Sequence, residues 1–121
     1  MPTPLMMTIK RSVFWLSLIV VAVLSLMPVE FLPPQTLNVW DKAQHALAFA
    51  GLALLGLQPY PTRPWRLALW LLAYGGAIEM IQSATGWRYG DWLDLLADAL
   101  GIATGVLLWG LLRLRVPHAG G

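Results

Sequence analysis

Long apolar runs separated by short polar segments dominate this chain, and they predict membrane-spanning helices. The first run, about residues 12–29, contains no charged side chain and is closed by Pro28. Three further apolar segments cover about residues 41–57, 66–85 and 91–112. The second is the weakest candidate, because a span needs about 20 apolar residues, whereas residues 43–57 are fewer and include Gln44 and His45.

The first apolar run has a length that would also suit a secretory signal peptide. However, Ser25, Leu26 and Met27, which precede Pro28, form no small-x-small cleavage site. This favours a segment that is retained as a membrane anchor.

Composition supports an integral membrane protein with a single domain, residues 1–121. The chain is 58% hydrophobic and 12% charged, with a mean hydropathy of +0.65, whereas about 25% of the residues in a soluble domain are charged. The net charge of +2 does not indicate a nucleic-acid partner, because the basic residues occur as dispersed pairs and form no patch. Without cysteine, the chain has no disulfide or thiolate chemistry.

The distribution of Lys and Arg predicts the topology, because basic residues concentrate on the cytoplasmic side of membrane proteins. Four crossings place six of them there: Lys10, Arg11, Arg63, Arg66, Arg113 and Arg115. Lys42 and Arg88 then lie toward the outside. If the second segment were a re-entrant loop, Arg63 and Arg66 would face away from the N-terminal basic pair. We therefore predict an all-α, four-transmembrane-helix bundle with both termini in the cytoplasm.

Aromatic rings flank the predicted spans at both interfaces, as the aromatic belts of membrane proteins do. The outer belt comprises Trp40, Trp87, Tyr89 and Trp92, and the inner belt comprises Trp15, Tyr60, Trp65 and Trp109.

All six carboxylates fall at the predicted outer end of the spans: Glu30, Asp41, Glu79, Asp91, Asp94 and Asp98. A carboxylate at membrane depth is costly unless it faces protein or a wet cavity, so such a cluster predicts a functional site. Glu79 and Asp98 each lie on the order of 10 Å inside their spans. In the fourth span the acids share a face with Gly101 and Gly105. Such a glycine pair lets another helix approach closely, so we expect this face to point into the bundle.

Three motifs in this order resemble the VanZ-like family. They are D-K-x-x-H-x-x-x-F from Asp41 to Phe49, E-x-x-Q at Glu79 and Gln82, and R-x-x-D-x-x-D-x(6)-G from Arg88 to Gly101. The resemblance covers about residues 38–112. It implies a small multi-pass protein of the bacterial cytoplasmic (inner) membrane, of a family named for resistance to the glycopeptide teicoplanin and without an established reaction. The family commonly has Asn where this chain has Asp98.

The candidate binding residues are Asp41, Lys42, His45, Glu79, Gln82, Arg88, Asp91, Asp94 and Asp98. Some of these residues can also be explained by a role other than ligand binding. Asp91, which follows Gly90, favours a helix cap. Arg88 suits either a carboxylate clamp or a contact with an anionic headgroup at the outer interface.

The acids nearest the bundle centre also have two interpretations. Glu79 is either a structural clamp, paired with Lys42, Arg88 or His45, or a functional acid. Asp94 and Asp98 are one helical turn apart and would repel each other, so they need a shared proton, a basic partner or a cation. His45 is either a hydrogen-bonded packing residue or a ligand or proton carrier.

No recognised nucleophile, cofactor or metal motif accompanies these residues. Oxygen ligands suit a hard divalent ion, but the spacing matches no known metal site, so we predict no metal and no cofactor. Catalytic residues stay unassigned, with Glu79, Asp94 and His45 as candidates.

Two functions from different classes follow from these residues and the resemblance. The favoured one is a non-enzymatic envelope protein, embedded in the lipid bilayer, whose polar pocket binds an envelope lipid, a lipid-linked precursor, an antibiotic or another membrane protein. The alternative is a membrane enzyme with carboxylate acid/base chemistry on an envelope lipid or lipid-linked precursor. An ion path ranks last, because the inner half is nearly devoid of titratable groups.

Overall fold

The computed structural model describes residues 3–27, 38–85 and 92–115, apart from the side chains of residues 38–41 and 115. These residues form four α-helices and no strand, which confirms the all-α prediction for the described part of the chain. The helices are α1 Pro4–Leu26, α2 Asn38–Leu57, α3 Pro64–Thr85 and α4 Trp92–Arg115.

Three of the four helices are long and apolar enough to cross a membrane. They are α1, α3 and α4, with mean hydropathies of 1.9, 1.2 and 1.9 over their most apolar windows. In α2 the apolar stretch Lys42–Leu57 is shorter, in line with the weak second segment of the sequence. Large apolar side chains such as Leu16, Ile19, Leu107 and Leu111 are exposed on α1 and α4. Such a continuous apolar exterior suits lipid better than water.

Helix α1 begins at Pro4, well before the start of the predicted span at residue 12. Thr3 caps its first turn, since the Thr3 hydroxyl accepts a hydrogen bond from the Met6 amide at 3.1 Å, and proline suits the first position of a helix. The helix ends at Leu26, just before the predicted limit at residue 29.

Helices α2 and α4 pack closely and run parallel. A Cβ atom at Gly101 would lie 2.1 Å from the carbonyl oxygen of Ala46, and one at Gly105 would lie 2.7 Å from that of Ala50. Both contacts advance by one helical turn in the same direction, which fixes the parallel register. The glycine pair therefore faces the interior, as expected, and its neighbour is α2.

Helix α1 joins the bundle through contacts with α2 and α3. Phe14 is almost fully buried and occupies the space where a Cβ of Gly56 would lie. The Tyr74 hydroxyl donates a hydrogen bond to the carbonyl of Leu18. The Gln82 amide donates to the carbonyl of Ser25 at 2.6 Å. The two donors are eight residues apart on α3, and their acceptors are seven residues apart on α1 in the same order. Helices α1 and α3 therefore run parallel.

The two ends of the bundle differ in their polar residues. At the end where α2 and α4 begin lies a group that we call the charged layer: Lys42, His45, Glu79, Asp94 and Asp98. A core that includes Leu52, Leu57 and Leu71 follows. At the opposite end lie Tyr60, Arg63 and Arg66, around the turn from α2 to α3.

Candidate functional site in the charged layer

The charged layer contains two basic–acidic pairs between α2 and α4. Lys42 Nζ lies 2.6 Å from Asp94 Oδ1. One turn along, His45 Nδ1 lies 2.9 Å from Asp98 Oδ1. Lys42 and His45 are three residues apart and the two aspartates are four apart, so each set lies on one face of its helix. The parallel register of α2 and α4 then brings the two faces together.

These pairs show how two like charges are accommodated in the bundle interior. Asp94 and Asp98 are only 4% and 1% exposed, and each needs compensation for the water it has lost. The sequence indicated that these aspartates need a shared proton, a basic partner or a cation. The structure places a basic residue beside each of them. Removing one member of such a buried pair leaves an uncompensated charge, which costs far more than losing an exposed pair.

His45 lies between the two aspartates. Besides the Nδ1 contact with Asp98, its Nε2 lies 3.7 Å from Asp94 Oδ2. A neutral imidazole donates from one nitrogen, whereas an imidazolium donates from both. The ring therefore contacts Asp98 directly and lies close to Asp94, between the two basic–acidic pairs.

Glu79 brings the third helix into the charged layer. It is buried, and one ligand atom from each of His45, Glu79 and Asp98 lies within 4.8 Å of the other two. Close packing makes this possible, because a Cβ at Gly75, one turn before Glu79, would lie 2.7 Å from Asp98 Oδ2. The structure thus groups Glu79 with His45 and Asp98, and it pairs Asp94 with Lys42.

The same three residues could hold a metal ion by geometry, since one imidazole and two carboxylates are suitable ligands for a divalent cation. Metal binding would compete with the 2.9 Å contact between His45 and Asp98 and would place a cation near Lys42. Our prediction that no metal or cofactor binds stays a prediction.

Gln82 and Ser83 lie on α3 next to this group. Gln82 is 1% exposed, and its Oε1 accepts no hydrogen bond from any residue within the described ranges. The Ser83 hydroxyl donates to the backbone carbonyl of Glu79 at 3.0 Å. Ser83 is therefore bound to its own helix, as Ser in membrane helices commonly is, and it is not poised as a nucleophile.

Three of the candidate binding residues cannot be assigned a place in the site. The side chains of Asp41, Arg88 and Asp91 lie outside the described residues, as does Glu30. The cap expected at Asp91 and the clamp expected at Arg88 stay predictions.

Sequence analysis did not identify the specific contact of Lys42 with Asp94. The sequence offers Lys42 as a partner for Glu79 and, with Arg88, as one of two fixed cations near Asp94 and Asp98; the structure places it against Asp94. A signal was present in the matched polar spacing of the two segments, Lys42 and His45 in one and Asp94 and Asp98 in the other. The predicted four crossings make the second and fourth spans parallel, but they do not give the register of the two helices, so this signal alone does not identify the pair.

No family model matches the chain, and neither the curated proteins nor the solved structures contain a match. The resemblance to the VanZ-like family therefore stays a prediction that depends on the three motifs.

Proposed function

We propose that the chain is a four-span protein of the bacterial cytoplasmic membrane, with both termini in the cytoplasm and the charged layer toward the outer face. The parallel packing of α2 and α4 supports the second crossing. Residues 42–57 of α2 extend about 22 Å along the bundle at about 1.5 Å per residue, beside a helix that is long enough to span. The excess of Lys and Arg at the opposite end supports the orientation.

Reporter fusions test this topology. Alkaline phosphatase inserted after Gln58, with α3 and α4 retained behind it, is expected to be inactive, because the turn between α2 and α3 lies in the cytoplasm in the proposed arrangement. The same reporter fused after Gln35 is the control and is expected to be active. An active fusion at Gln58 would contradict the second crossing and would place Arg63 and Arg66 outside.

The function that we propose is binding, of the VanZ-like type, with an effect on sensitivity to glycopeptides such as teicoplanin. The charged layer would bind an envelope lipid, a lipid-linked precursor, the antibiotic or another membrane protein. The observation that carries this proposal is the pair of contacts Lys42–Asp94 and His45–Asp98 in an otherwise apolar bundle. Charges at such depth are costly and are usually associated with function.

Binding is favoured over catalysis because the candidate catalytic groups are engaged with one another. Both ring nitrogens of His45 lie near carboxylates, and Ser83 is bonded to the backbone. A general base needs a free acceptor within reach of the proton that it removes. The second function, acid/base chemistry on an envelope lipid, is supported by the position of Glu79 beside the His45–Asp98 pair.

Two substitutions of Glu79 separate these functions. If Glu79 contributes to ligand binding and to packing in the charged layer, Glu79→Gln keeps membrane abundance and much of the teicoplanin phenotype, because it preserves shape and most hydrogen bonds. Glu79→Leu leaves polar neighbours without a partner and lowers abundance. If Glu79 is a general acid or base, Glu79→Gln keeps abundance but lowers activity by about 10²-fold or more.

The measurement is membrane abundance together with teicoplanin sensitivity, in a host that lacks the native protein. Met80→Leu is the matched control, since Met80 is the next residue on α3 and is 75% exposed; both readouts should match those of the unsubstituted protein. A normally abundant Glu79→Gln protein without any phenotype would contradict the binding proposal and favour the enzyme.

A further inference from the structure

A second polar feature lies at the end of the bundle away from the charged layer. A cavity of about 390 Å³ opens between α1, the α2–α3 turn and the first turns of α3. Its lining includes Phe14, Trp15, Tyr60, Arg63, Arg66 and Trp70. We call it the arginine pocket.

The walls of the arginine pocket are aromatic and are held in place by contacts among themselves. The Trp15 indole donates a hydrogen bond to the Tyr60 hydroxyl at 3.2 Å. The ring centroids of Trp15 and Trp70 are 5.6 Å apart in an edge-to-face arrangement. Phe14 and Leu67, both buried, provide an apolar floor. The pocket thus combines a rigid apolar interior with two arginines.

The basic charge of the arginine pocket has no acidic counterpart among the described residues around it. The sequence contains no Asp or Glu between Lys42 and Glu79, none before Glu30 and none after Asp98. Among the residues that the structure describes, Arg63 and Arg66 form no ion pair. A third cation, Arg11, lies with its Cζ 6.0 Å from the centre of the Tyr60 ring. Within the described part of the chain, no residue supplies an anion at this position, which leaves it open to an anionic ligand.

We propose that the arginine pocket binds the phosphate group of an anionic phospholipid, with Arg63 and Arg66 on the phosphate and the glycerol and upper acyl carbons against the aromatic walls. A guanidinium matches phosphate oxygens with two parallel hydrogen bonds. Basic pockets between membrane helices are typical headgroup sites. A lipid fits better than free phosphate, because only a lipid uses the apolar floor. This inference requires that α1 and α3 lie in a bilayer, and it is independent of the function proposed for the charged layer.

The test is lipid binding by the purified full-length chain in a neutral detergent. Phosphatidylglycerol or phosphatidylcholine with identical acyl chains is added, and bound lipid is counted by native mass spectrometry. We expect a preference for phosphatidylglycerol. The double substitution R63Q/R66Q should weaken phosphatidylglycerol binding by about 20-fold, given the usual contribution of each basic residue at an anionic lipid surface.

The charge-matched control is R113Q/R115Q, which removes two arginines from the end of α4, a helix that contributes no described residue to the pocket lining. Its affinity should change by less than about threefold, because a charge that does not contact the lipid acts on it only weakly through solvent. Equal loss in both variants, or unchanged binding in R63Q/R66Q, overturns the proposal.

Two further measurements keep the proposal testable if R63Q/R66Q loses its helical circular dichroism. R63K/R66K retains the charge but not the guanidinium fork, so it should bind less phosphatidylglycerol than the unsubstituted chain. In the unsubstituted protein, inorganic phosphate at the same concentration as the lipid should not displace it, because free phosphate does not use the apolar floor. Displacement would identify free phosphate as the ligand and would overturn the assignment to a lipid, as would equal binding of the two lipids.

Discussion

Gly101→Ala is expected to lower the free energy of unfolding by about 3 kcal/mol, a large effect for one added methyl group. The new Cβ would lie 2.1 Å from the carbonyl oxygen of Ala46, which is backbone and cannot rotate away. Helices α2 and α4 would have to separate, and that shift would also strain the pairs in the charged layer. Alanine's higher helix propensity, worth about 1 kcal/mol, offsets only part of this cost.

Unfolding of the purified protein in mixed micelles, followed by helical circular dichroism against increasing sodium dodecyl sulfate, measures this effect. Gly110→Ala is the matched control, because it lies on the same helix and a Cβ there meets nothing within 4 Å. It should leave the stability unchanged or raise it by up to about 1 kcal/mol. Similar stabilities for the two variants would show that α2 and α4 are not packed through Gly101.

Asp98→Leu is expected to destabilise the protein by about 3–5 kcal/mol, the usual cost of breaking a buried ion pair from one side. Asp98 is 1% exposed and lies 2.9 Å from His45. Leucine would leave the imidazole facing an apolar group. Asp98→Asn should cost less, about 1–3 kcal/mol, because the amide oxygen can still accept a hydrogen bond from the ring.

The same unfolding assay applies, with Thr104→Leu as the control. Thr104 is exposed on α4 and its hydroxyl donates to the carbonyl of Leu100 in the same helix, so its loss should change stability little. The double variant with His45→Leu and Asp98→Leu should lose less than the sum of the single losses, because both partners become apolar. Strict additivity would indicate that the two side chains do not interact.

Hydropathy is sufficient to predict α1, α3 and α4, because a membrane span must be a long apolar segment, whereas the second span was predicted from the distribution of Lys and Arg. The common depth of Glu79 and Asp98 was also predictable, since the rise of a helix is constant. The pairing of Lys42 with Asp94 was not, because it depends on the contact and register of two segments about fifty residues apart, which the predicted topology makes parallel but does not align.

Other features depend on several segments at once. The arginine pocket needs α1, the α2–α3 turn and α3 to meet. Trp15 and Tyr60 appeared in the sequence only as interfacial aromatics, and nothing local indicated that their side chains form a hydrogen bond. The early start of α1 has a local cause, the Thr3 cap, but a search for apolar spans does not detect caps.

The parallel pairing of α2 with α4 also bears on the order in which the protein is made. Helix α2 is translated second, yet Lys42 and His45 contact carboxylates that the ribosome adds more than fifty residues later. Until then α2 is a short, weakly apolar segment with two basic groups and no acidic neighbour from α4. We therefore expect α2 to insert stably into the membrane only after α4 has emerged from the ribosome. The charged layer would then be completed at the end of biogenesis.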